Sequence, residues 1–227
     1  MEHSREEIEI LQLLADLQNV LGMAVNSLGG RTPKSPQAHY IGFVGKGANI
    51  AADGYLVLRR AFRVSSSKLL VRPALELILR GAAVENEPAL LVRMAYSEWD
   101  EDGRMFKNPA GRAQHKHEWA EFEQKVRVLD PGCKIVRKWL GLREAAKSAK
   151  MEQHYEISYR LYCKFTHGAL GSLLGVFDPV TDDSDSRVMT WCVFQALGLL
   201  GRQTPVDLPE LGVFQERLDR LIFRGPG

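Results

Sequence analysis

Ile10, Leu14, Leu17, Leu21, Ala24 and Leu28 recur at alternating steps of four and three, with charged and polar residues between them. That is the period of one face of an α-helix, so the stripe predicts an amphipathic first helix. At under three heptads it suits packing within the domain, or against a second copy, better than a long coiled coil. Gly29-Gly30 and the prolines Pro33 and Pro36 close it, and the glycines up to about Gly47 predict a loop. Within that loop, residues 40–44 give a weak strand-like alternation.

Helical spacing resumes at about residue 48 and runs to 64, with Tyr55, Leu58 and Phe62 on one side. Ser65-Ser66-Ser67 offers an N-cap for a helix over residues 67–85 that is apolar almost all round, which marks it as central and heavily buried. Pro73 must sit in its first turn or kink it. Further helices are predicted over 88–99, 109–129, 133–151 and 155–167, then a loop over 178–186, an apolar helix over 187–201 and a short amphipathic one over 211–223. The pattern predicts an all-α, single-domain multi-helix bundle. Its parts are an N-terminal helix and loop (1–47), a helical core (48–174) and C-terminal helices packed on that core (175–227).

Composition narrows the class but not the chemistry. The 227 residues carry 30 basic and 28 acidic side chains, a near-balance that does not mark a dedicated nucleic-acid binder, though it leaves room for a local basic patch. The three cysteines Cys133, Cys163 and Cys192 show no metal-ligand or disulfide spacing, so reduced thiols are expected. The charged start and the lack of a run of about 20 apolar residues point to the cytoplasm rather than a membrane. No motif calls for a cofactor or metal.

Two helical faces carry candidate chemistry. Gln153, Glu156, Arg160, Lys164 and His167 form a polar stripe, and Arg160 and His167, two turns apart, lie nearly in line. A guanidinium can neutralise charge on a phosphate while an imidazole moves a proton near neutral pH, the minimum for metal-free RNA cleavage. The same stripe also reads as a solvated helix face with cations near its C-terminus. Lys68, Arg72, Glu76 and Arg80 form a charged ridge at steps of four on the apolar helix. They suit intrahelical ion pairs, or partly buried groups seeking partners such as Arg160 or His167 from another helix.

Other features are weaker. The Gly42-to-Gly47 run lacks the Lys-Ser/Thr ending of a phosphate loop and reads as a connector. His117 and Glu121, beside His115 and Glu118, have i,i+4 spacing for a metal but need ligands from elsewhere; an exposed polar face explains them. Asp178, Asp182, Asp183 and Asp185 match no calcium-loop spacing and read as turn and capping residues.

Leu70-Val71-Arg72-Pro73-Ala74-Leu75-Glu76, with Tyr155-x3-Tyr159-Arg160-Leu161-x5-His167-Gly168, resembles an uncharacterised bacterial all-helical family, domain of unknown function 5677, over about residues 48–174. The resemblance implies that Arg72, Glu76, Tyr155, Tyr159 and His167 belong together across two packed helices. Arg160-x6-His167 is also similar to the Arg-x(4–6)-His motif of HEPN domains, many of which are metal-independent ribonucleases acting as dimers. Leu161 stands where active members usually carry a polar residue. That similarity implies Arg160 and His167 as the catalytic pair, RNA as substrate, a defence or toxin–antitoxin setting and a homodimer. The competing expectation is a non-catalytic module that binds a protein or a small anionic ligand, with Arg72, Glu76 and His167 in a structural network.

Overall fold

The computed structural model describes residues 4–28, 35–105, 108–129, 131–132, 134–159, 162–163, 180–204, 208 and 211–223. Among them every regular element is helical, as the stripes predict: the protein is an all-α multi-helix bundle. Its elements are α1 (Arg5–Leu28), α2 (Pro36–Arg60), α3 (Val64–Asn86), α4 (Leu90–Met105), α5 (Pro109–Leu129), α6 (Leu142–Ser148), α7 (Glu152–His154, running on as a π-helical turn, Tyr155–Tyr159), α8 (Val180–Gln203) and α9 (Leu211–Leu218, running on as a second π-helical turn, Asp219–Phe223).

In α1 the Ser4 hydroxyl accepts the Glu7 N–H at 3.1 Å, and Glu6 and Glu7 complement the helix dipole in the first turn. Ile10, Leu13, Leu14, Leu17 and Leu21 are fully buried. By length and composition α1 is able to cross a membrane, which the sequence reading assigned to no segment; here its apolar side forms core.

The loop and the weak strand expected before residue 48 are instead the first half of α2. The Ser35 hydroxyl caps it by accepting the Ala38 N–H at 3.0 Å, and Pro36 sits in the first turn, where its missing N–H costs nothing. Its glycines serve close packing rather than turns. A Cβ at Gly45 would lie 2.7 Å from Leu200 Cδ1, and one at Gly47 2.6 Å from Leu77 Cδ1.

Three other boundaries differ from expectation. Ser67 does not cap α3 but lies inside it, donating its hydroxyl to the Val64 carbonyl at 2.7 Å. Pro73 is neither in the first turn nor buried. It lies two turns in, on the exposed side, where losing one helical hydrogen bond costs least. The acidic residues 100–103 continue α4, and the loop expected over 178–186 is helical from Val180.

α1, α2 and α3 run up, down and up. α8 is parallel to α1 and α3, because Arg187 near its start bonds Glu6 and Arg202 near its end grips Glu85 at 2.7 and 2.9 Å. A parallel return of this kind requires a long crossover, which α4–α7 supply. α4 and α5 form a hairpin around Tyr96, Trp99, His115, Trp119 and Phe122, with the Trp99 and His115 rings stacked at 4.7 Å.

Residues 134–141, expected to be helical, form no regular element. Arg93 explains this: it donates to the carbonyls of Lys138 and Trp139 and holds Glu144 through two bonds of 2.7 and 2.8 Å. The Lys138 and Trp139 carbonyls and, through Ser97, the Leu140 N–H are thus satisfied without helical bonding.

α2 and α6 both end in a Schellman turn. Phe62 and Arg63 donate to the carbonyls of Arg59 and Leu58, and Lys150 and Met151 to those of Lys147 and Ala146. The left-handed residues are Phe62 (φ 56°) and Lys150 (φ 57°), not glycine. Lys150 is exposed, so Lys150→Gly removes backbone strain and loses little packing. It should raise stability in urea unfolding by about 0.5–1 kcal/mol, the left-handed penalty less glycine's extra freedom when unfolded. A less stable variant would contradict the assignment.

Candidate functional site

At the end of the bundle where α1, α3 and α8 begin and α2 finishes, four charged residues continue the apolar stripes of their helices. Glu7 precedes Ile10 by three, and Arg59 follows Tyr55 by four. Lys68 precedes Val71 by three, and Asp185 precedes Met189 by four. All four are buried. Arg59 is ion-paired with Glu7 beneath the Tyr55 ring. Lys68 Nζ lies 3.4 Å from Asp185 Oδ2, each side chain 2% exposed. Tyr162 donates its hydroxyl to Asp185 Oδ1 at 2.5 Å, and Tyr55 donates to the Ser186 hydroxyl at 3.3 Å.

Burial pushes the Asp185 carboxyl above its ordinary value, against the pull of Tyr162, Lys68 and Arg59. Burial and Asp185 together push the Tyr162 phenol far upward, so it remains a neutral donor. The group ties Tyr162, which comes from the crossover, to α3 and α8.

One turn further along α3 lies a second, half-exposed cluster. Arg72 donates to Glu76 Oε1 at 3.2 Å and to the Tyr159 hydroxyl at 3.3 Å, and Tyr159 donates to Glu76 Oε1 at 2.7 Å. The Arg72 guanidinium lies 5.6 Å from the Tyr159 ring centroid, and Tyr155 stacks on Tyr159 at 5.3 Å. Burial, then the bonds to Glu76 and Cys163, push the Tyr159 phenol well above its ordinary value. Burial works against the Arg72 charge, but Tyr159 and Glu76 more than offset it and raise its pKa.

The structure therefore brings together Arg72, Glu76, Tyr159 and Tyr155, with Cys163 beside them. Arg160, Lys164 and His167 lie outside the described residues, as do Asp178 and Cys133. Tyr159 and Tyr162, on either side of Arg160, are held by the two clusters.

Among the described residues no group of His, Cys, Asp and Glu could hold a metal. His117 and Glu121 form an exposed pair at 3.2 Å, while His115 is buried under Trp99 and bonded to its carbonyl at 2.6 Å. Asp182, Asp183 and Asp185 belong to α8 rather than to a loop, and Asp185 faces inward.

The sequence reading missed Glu7, Arg59, Asp185 and Tyr162. The available signal was positional, since each of the three charged residues interrupts an apolar stripe, where a lone charge requires an opposite one. No family model matches the chain, and no curated protein or solved structure matches it either, so no relative's chemistry bears on this site.

Removing one member of the buried pair leaves the other uncompensated. Lys68→Ala should destabilise the protein by about 3–5 kcal/mol, whereas Lys68→Met with Asp185→Leu, combined with Tyr162→Phe so that no buried hydroxyl loses its acceptor, should recover most of that loss. Urea unfolding measures both, and a combined variant no better than Lys68→Ala would refute the pairing.

The raised Asp185 value also fixes a sign. The folded protein holds this proton more tightly than the unfolded chain. Its contribution is thus complete below the ordinary aspartate pKa of about 3.9 and is lost as pH rises through the raised value. Wild type should lose stability relative to Asp185→Asn over that rise. A pH-independent difference would contradict it.

Proposed function

We propose that the chain is a HEPN-like, metal-independent ribonuclease of a defence or toxin–antitoxin system, with its site on the stretch of sequence from Tyr155 to His167. The observation that carries this reading is the anchoring of Tyr159 and Tyr162, the two described residues that bracket Arg160, by Glu76 and Asp185. An Arg-x6-His motif spans the same stretch of an all-helical chain.

In this reading the 2′-hydroxyl of RNA attacks the adjacent phosphorus and the bond to the 5′ oxygen breaks. Arg160 stabilises the charge on the phosphoryl oxygens, and His167 moves the proton or orients the hydroxyl. Glu76 and Tyr159 act as positioning residues. No step calls for a cofactor.

A second reading is favoured by the closure of the Arg72–Glu76–Tyr159 trio, whose members bond to one another. Such a network suits a non-catalytic helical module that binds a protein or a small anion.

Incubation of the purified full chain with total RNA in excess chelator tests the first reading. Wild type should cleave, and Arg160→Ala and His167→Ala should each reduce the rate by about 10²-fold or more, the usual scale of acid–base catalysis. Equal cleavage by all three proteins, or none by wild type, would reject the nuclease and leave the binding module.

A further inference from the structure

Phe43, Ile50 and Val57 recur every seven residues along the outer face of α2 and are 58%, 62% and 56% exposed. Scattered apolar residues are normal on a protein surface. Three in one helical register, however, make a seam of the kind that pairs helices, about 21 Å long at 1.5 Å per residue. Lys46 and Asp53 alternate with them on the same face, also exposed, and neither has an ion-pair partner among the described residues.

We propose that this face is a homodimer interface, occupied by α2 of a second copy packed antiparallel about a twofold axis at Ile50. The arrangement of charge and volume selects that occupant. The axis sets Ile50 against itself and the large Phe43 of each copy against the smaller Val57 of the other. It also brings Lys46 of each copy beside Asp53 of the other, giving two ion pairs. Parallel pairing in register would instead set lysine against lysine and aspartate against aspartate. A self-complementary patch of this kind is what a twofold contact requires. The seam is small, so the dimer forms in the micromolar rather than the nanomolar range. The nuclease reading implies a homodimer without saying which face forms it; the assignment of that face comes from the α2 register and charges alone and stands or falls independently of RNA cleavage.

Sedimentation velocity on the full chain, from about 1 µM to about 500 µM, brackets the affinity expected for a small interface. Wild type should pass from monomer to dimer across that range, and Ile50→Arg should weaken association at least tenfold without changing the circular dichroism spectrum. Lys46→Glu and Asp53→Lys should each weaken it. The two single variants mixed together should associate again, as should the charge-swapped double variant. A wild type that stays monomeric throughout, a dimer indifferent to Ile50→Arg, or a mixture no tighter than its components would overturn the proposal.

Discussion

The mutual neutralisation of Glu7, Arg59, Lys68 and Asp185 is the constraint on which this bundle turns. Each replaces an apolar residue in the stripe of its helix, and together they place two positive and two negative charges in one buried region. Taking charges out of water is costly, and the cost is offset only where opposite partners meet in good geometry. The pairing therefore penalises wrong registers more than it adds stability. Sliding any of the four helices by one turn would set a bare charge against leucine. In the apolar remainder of the core, the close approaches of Gly45 to Leu200 and Gly47 to Leu77 act in the same direction, since a slip would bring a Cβ into them.

The charged layer also explains why a long crossover returns to this end of the molecule. Asp185 needs a second donor besides Lys68, and Tyr162 supplies it. That bond holds Tyr162 to α8, and three residues earlier Tyr159 meets Arg72 and Glu76 on α3. The half-exposed cluster thus rests on the buried one, with Lys68 and Arg72 one turn apart on the same helix.

Much of this was legible in the residues, and what was not has local causes. The stripe of α1 was plain because three- and four-residue spacing needs no tertiary information. α2 was cut short because Gly42, Gly45 and Gly47 read as a loop, when Gly45 and Gly47 answer to Leu200 and Leu77, which are distant in sequence. The Ser35-Pro36 start was the local signal for it. The ends of α2 and α6 carry no glycine, so their Schellman turns at Phe62 and Lys150 left no mark. The non-helical stretch after residue 133 depends on Arg93, some 45 residues earlier, and no local pattern encodes it. The association of Arg72, Glu76 and Tyr159 came from a resemblance between motifs. The partner of Lys68 did not, because Asp185 read as a loop residue.

Hydrogen exchange is the most direct test of whether the buried charges hold the crossover onto the bundle. Tyr162→Phe deletes one hydroxyl and leaves the ring, so packing is preserved while Asp185 loses its 2.5 Å donor. Mass-spectrometric exchange on wild type and this variant should show faster exchange in peptides covering residues 152–163 and the first turns of α8, with the middle of α1 and α2 still protected. Unchanged exchange in residues 152–163 would mean that the tyrosine–aspartate bond does not anchor the segment, and the link between the two clusters would fail with it.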